Sequence, residues 1–126
     1  MSNYILDASA VLAFLNQEIG ADYVQNLIPD SRIGAVNVAE VLARSVELGH
    51  TNESARESFA MLGLEIIDFD ERHAFKAAEL RASTRHLGLS LGDRSCLAAA
   101  ILHNSTAITA DRQWKDLSCC PIEIIR

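Results

Sequence analysis

Four carboxylates stand where their neighbours would not lead one to expect an acid. Asp7 ends the apolar run "NYILD", Glu40 interrupts "VNVAEVLA", Asp93 opens "DRSCLAAAIL", and Asp111 follows "STAITA". Each has a purely structural explanation. Asp7 can cap a helix beginning near Ala8, and Asp111 the turn after it. Ser90 and Asp93 match the S/T-x-x-acid capping box. Glu40 has Arg44 as its i+4 partner on a stripe with Asn37 and Glu47, which reads as a solvated face. As a set they mean more. Like charges gathered at one site raise each other's pKa values and cost stability unless positive charge offsets them. Mg²⁺ and Mn²⁺ prefer oxygen ligands, and Mg²⁺ takes one or two carboxylates while keeping several waters. Softer metals are not indicated: His50, His73, His86 and His103 form no i, i+4 pair, and the cysteines show no zinc spacing. A cation held by acids with open positions acidifies a water and stabilises charge on a phosphoryl group, so the fitting reaction is phosphodiester hydrolysis.

That chemistry requires a scaffold that gathers the four acids. "NYILD" reads as a strand, and "ASAVLAFLNQE" as a helix with Ala10, Val11, Phe14 and Leu15 at helical spacing. A second helix covers Ala21 to Ile28 and is stopped by Pro29. "RIGAV" is the next strand, and Asn37 opens a helix to about Leu48, with Gly49 as its stop. A helix from about Asn52 to Leu62 precedes Gly63 and the strand "LEIIDF". Asp70 can cap the longest helix, to about His86, with Phe75, Ala78 and Ala82 on its buried side. Ser90 caps a helix to about His103, "STAIT" is a fourth strand, "DRQWKDL" a helical turn, and "IEII" a closing strand. Strands alternating with helices imply parallel pairing with right-handed crossovers. The expected fold is a three-layer α/β/α sandwich with a mainly parallel central sheet, residues 1–126 forming a single domain. In such sheets ligands bind outside the carboxyl ends of the strands, the edge on which the four acids should meet.

Composition sets outer bounds. A chain of 126 residues that is 49% hydrophobic can bury a core and is not disordered. No apolar run reaches the ~18 residues of a membrane span, and "MSNYILD" carries no signal-peptide pattern. Cys96, Cys119 and Cys120 are an odd number with two adjacent, which suits no disulfide framework and points to a reducing cytoplasm. The net charge of −6 argues against a nucleic-acid partner, yet the stretch from Arg72 to Lys115 is basic on balance. Within it Arg81, Arg85, Arg94, Arg112 and Lys115 are candidates for contacts to a nucleic-acid backbone, or else members of solvated helix faces. Trp114 either stacks on a base or packs in the core.

"YILDASAVLAFL", "VNVAEVLAR", "LSLGDRSCLAAA" and "AITADRQW", in this order, resemble a PIN-domain ribonuclease, and more narrowly the VapC toxins of toxin–antitoxin pairs. The likeness covers nearly the whole chain. It implies Mg²⁺- or Mn²⁺-dependent endonucleolytic cleavage of RNA, leaving a 5′-phosphate and a 3′-hydroxyl. It maps the acidic site onto Asp7, Glu40, Asp93 and Asp111. Asp7, Asp93 and Asp111 would be the metal ligands, with Glu40 in the outer shell. Ser9 and Thr109 match supporting hydroxyls, Asn37 a polar position before the family's Glu, and Asp116 a further acid that some members carry. For Asn37 plain helix capping is the competing reading. The resemblance also implies a cognate VapB-like antitoxin that inserts a C-terminal segment, often with an Arg, near the acids, and a homodimer within that complex. Val11, Phe14, Leu15, Phe59 and Leu62 would line the groove or a dimer surface, or simply pack in the core.

Two other classes compete. A PIN-like chain that has lost catalysis would act only as a binding partner. A phosphoacceptor signalling domain would use an Asp after a strand, such as Asp68, with a Lys late in the chain; Lys76 and Lys115 do not end strands.

Overall fold

Parallel pairing joins every neighbouring strand of the computed structural model, which describes residues 3–126. β1 (Tyr4–Leu6), β2 (Ser31–Gly34), β3 (Glu65–Ile67), β4 (Thr106–Thr109) and β5 (Ile122–Ile124) form one sheet in the order β3-β2-β1-β4-β5. Successive side chains on a strand point to opposite faces, and this divides the core. Ile5 and Ala107 join Ala77, Leu80, Leu97 and Trp114 on one side. Leu6, Ile33 and Ile108 join Val11, Val24, Val41 and Phe59 on the other. α1 (Ala8–Leu15), α2 (Ala21–Leu27), α3 (Ala35–Glu47) and α4 (Asn52–Ala60) therefore cover one face, and α5 (Glu71–Thr84) and α6 (Leu91–Leu102) the opposite one. These are the three layers expected.

α6 buries Gly92, Ser95 and every residue from Cys96 to Ala100, as an unpatterned apolar helix should. Val11 and Phe59 are buried in the core, and Phe14, Leu15 and Leu62 pack against the same cluster while staying partly exposed. Trp114 is fully buried and likewise a packing residue. The three cysteines are free thiols. Among the described residues no helix is long and apolar enough to cross a membrane. The signal-peptide reading falls partly on residues 1 and 2, outside the described residues.

Two local expectations are corrected. α3 starts at Ala35 with Gly34 as its N-cap, because β2 runs straight into the helix. Asn37 is thus inside the first turn and caps nothing; it is fully buried. In α5 the buried stripe is His73, Ala77, Leu80 and Thr84, not Phe75, Ala78 and Ala82, and Phe75 is 65% exposed. The polar ends set this phase. Asp70 Oδ1 accepts the His73 backbone N–H and lies 2.6 Å from His73 Nδ1, and that ring lies against His103, at the C-cap of α6, at a centroid distance of 5.4 Å. At the other end Thr84 donates its hydroxyl to Leu80 O at 2.6 Å, and α5 stops there rather than at His86, with a 3₁₀ turn over Arg85–Leu87.

Candidate active site

The sheet reverses its strand order between β1 and β4, and the crevice at the carboxyl ends of such a pair is where open α/β sheets bind ligands. Asp7 stands there. Its backbone N–H donates to Ile108 O at 2.8 Å, extending the β1–β4 ladder by one residue, and the chain then turns into α1. Although Asp7 occupies the N-cap position, its carboxylate does not cap the helix. Instead Oδ2 accepts the Ser9 hydroxyl at 2.6 Å and the Thr109 hydroxyl at 3.0 Å. Both hydroxyls also accept: Ser9 Oγ from the Ala110 N–H at 2.9 Å, Thr109 Oγ1 from the Asp111 N–H at 3.1 Å. With their protons committed to Asp7, these side chains fasten the ends of β1 and β4 together. Oδ1 of Asp7 receives no hydrogen bond among the described residues.

Glu40 is brought to the same crevice by α3. Its Oε1 accepts Nδ2 of Asn37 at 2.8 Å, and the same nitrogen donates to Gly92 O at 3.1 Å, bridging α3 to the first turn of α6. Glu40 makes no ion pair with Arg44 among the described residues. Asp93 forms the capping box anticipated: Ser90 Oγ accepts its backbone N–H at 3.1 Å, and its Oδ2 accepts the Ser90 N–H at 2.9 Å. One carboxylate oxygen is thereby used for structure and the other is left over.

Asp7, Glu40 and Asp93 line one open cavity of about 470 Å³, with Ala8, Ser9, Leu12, Ala43, Arg44 and Glu47. Asp7 is only 4% exposed, and burial pushes its carboxyl up to about 7 from 3.8. The negative charges of Asp93 and Glu40 push the same way, against the Ser9 and Thr109 hydroxyls. Glu40 is raised too, first by burial, with Asp93 adding to the effect and Asn37 opposing it. Three acids therefore share one field, in an all-oxygen site of the kind hard cations occupy. Among the described residues no three acidic, histidine or cysteine side chains close around a metal by themselves.

Asp111 does not line the cavity; its Oδ1 accepts the Gln113 N–H at 2.9 Å, and its link to Asp7 runs through Thr109. Asp116 lines a separate cavity of about 210 Å³ beside Thr84 and His86. Arg81, Arg85, Arg112 and Lys115 are exposed. Arg94 is turned inward, Nη1 donating to Ala77 O of α5 at 2.9 Å. Asp68 is exposed beyond β3, an edge strand, and does not line the cavity, so it lacks the central-strand position a phosphoacceptor needs. Not anticipated from the sequence are Arg44 and Glu47 on the cavity wall and Gly92 against the Glu40 carboxyl. The 37/40/44/47 stripe was visible, but its periodicity could not distinguish solvent from a cavity. A larger hollow, about 670 Å³, is lined by α4 alone and holds none of these groups.

The PIN domain family model matches residues 4–118. No curated protein sequence matches the chain. Among solved structures, a chain of the DNA-bound VapBC from Salmonella typhimurium superposes with a TM-score of 0.76 at 18% identity, covering 100% of both chains. VapBC2 from Rickettsia felis, bound to a fragment of its promoter, matches at a TM-score of 0.74 and 22% identity over 96% of this chain and 97% of that one. VapBC-5 from Mycobacterium tuberculosis matches at 0.63 and 24% identity, covering 100% and 99%.

Proposed function

The chain belongs to the PIN domain family, and from that premise we propose that it is a divalent-cation-dependent endoribonuclease, the toxin of a VapBC-like toxin–antitoxin pair. One observation carries the reading: a buried Asp7 at the sheet's switch point, its carboxyl raised to about 7, in one cavity with Glu40 and Asp93. That concentration of negative charge fits Mg²⁺ or Mn²⁺ and repels a bare phosphate. Asp7 and Asp93 would hold the ion with the oxygens their hydrogen bonds leave over, Glu40 would act from the outer shell, and Asp111 would complete the set behind Thr109. Once bound, the cation supplies charge neutralisation and an acidified water.

The chain's own residues do the rest. Ser9 and Thr109 orient Asp7, and Asn37 orients Glu40. Water attacks phosphorus in line, the P–O3′ bond breaks, and the products carry a 5′-phosphate and a 3′-hydroxyl. Arg44, exposed on the cavity wall, is the cation best placed to meet an RNA phosphate, with Arg81, Arg85, Arg112 and Lys115 as outer contacts. Arg94 is less suited, because its guanidinium serves α5. The antitoxin partner is supported by the nature of the matched structures, which are toxin–antitoxin complexes. A basic antitoxin side chain seated among the acids would replace the cation's charge, and a homodimer of this chain is expected within that complex.

The trial is incubation of purified protein with a tRNA mixture, with and without Mg²⁺ or Mn²⁺. Cleavage should require the cation and vanish in Asp7→Asn/Asp93→Asn. Undiminished cleavage by that double variant would show the site to be wrong. Toxicity on expression alone, relieved by co-expressing and co-purifying the product of the adjacent reading frame, tests the pairing.

A further inference from the structure

Gly92 occupies the first turn of α6, buried, where glycine is the weakest helix former after proline. Its backbone is not in the left-handed region, so conformation does not call for glycine there. Glu40 does. A Cβ built on Gly92 would overlap the whole carboxyl group of Glu40, Cδ and both oxygens. No other heavy atom is among its three nearest neighbours. The Glu40 carboxyl thus lies in the space a side chain at 92 would fill. Asn37, fully buried, donates to Glu40 Oε1 on one side and to Gly92 O on the other.

We propose that Gly92 is a positioning residue: the missing side chain at 92 is the seat of the Glu40 carboxylate, and Asn37 clamps the two together. This rests on the reading that Glu40 serves the acidic site. The seat lets α3 and α6 approach closely enough for Glu40 to share the Asp7–Asp93 field; any larger residue at 92 would push the carboxyl aside. Because that carboxyl is the far end of a flexible side chain, it can swing away and leave the fold intact. The loss therefore falls on the site.

The test uses the full chain with Gly92→Ala, alone and combined with Glu40→Asp or Glu40→Ala. Gly92→Ala should lower RNA cleavage about tenfold or more, as loss of a partner behind the ligands does. In the Glu40→Asp background, where the carboxyl is retracted by one methylene, the same substitution should cost much less. An equal fractional loss in both backgrounds overturns the proposal. A second cycle reads urea unfolding midpoints and needs no activity. With Ala at 40, Gly92→Ala should raise the midpoint through helix propensity; with Glu40 present the gain should shrink or reverse. Identical shifts in the two backgrounds also overturn the proposal. A coupled unfolding cycle in a protein that cleaves no RNA would refute the nuclease reading and leave the seat established. An uncoupled cycle in an active protein would do the opposite.

Discussion

Asp7 is the residue on which the site's energetics turn. Its folded pKa, about 7, lies above the ordinary 3.8, so the folded state prefers it protonated. Its contribution to stability is fully present below about pH 4 and is lost as pH rises through about 7. At about 1.4 kcal/mol per unit the loss is on the order of 4 kcal/mol. Urea unfolding in chelator across this window should show wild type losing stability relative to Asp7→Asn, with the gap widening towards neutral pH. A constant gap would refute it. Asn37 makes a second test. Asn37→Ala removes the donor to Glu40 and Gly92 O from a fully buried position, which should cost about 1–3 kcal/mol in denaturant unfolding. A helix cap, the role the sequence suggested, would instead leave the effect confined to α3, where its N-cap is Gly34.

At the scale of elements, the pairing of α5 with α6 separates two arginine roles that composition merges. Arg94 ties α6 to α5 through Ala77 O. Arg81, in the last turn of α5, and Arg85, just beyond its end, are exposed. Arg94→Ala should lower the unfolding midpoint and leave the salt dependence of RNA binding unchanged. Arg81→Gln/Arg85→Gln should do the reverse, reducing the slope of log affinity against log salt by about 1 to 2. Filter binding over a salt series, beside thermal melts, distinguishes them. α5 also shows why its buried face was misjudged. Phe75 is its largest apolar residue, yet the cap at Asp70 turns His73 inward and Phe75 stays exposed. Hydrophobicity counts residues; the cap fixes rotation.

For the whole molecule, the crevice exists because the order of strand addition reverses between β1 and β4, and Asp7, Glu40 and Asp93 come from three separate segments into one cavity. An ion that binds only this assembled geometry stabilises the fold by mass action, by about 2.7 kcal/mol at a hundredfold excess over Kd. Mn²⁺ should therefore raise the unfolding midpoint of wild type at neutral pH and leave Asp7→Asn/Asp93→Asn unmoved. An equal rise in both proteins would place the ion elsewhere.

The alternation of strand and helix, the three layers and the acids at strand ends are legible in the residues alone, because periodicity, caps and breakers act within a few residues. The capping box of Ser90 with Asp93 was legible for the same reason. The sequence could not determine which acids share a cavity. Asp111 caps the turn after β4 and lies outside that cavity, joined to Asp7 through Thr109, while Arg44 and Glu47, exposed as their stripe suggested, also form part of its wall. Nor could it show that Gly92 makes room for Glu40, fifty-two positions earlier in the chain. Distances between segments are set only when the helices dock on the sheet, and the electrostatics of the site depend on those distances.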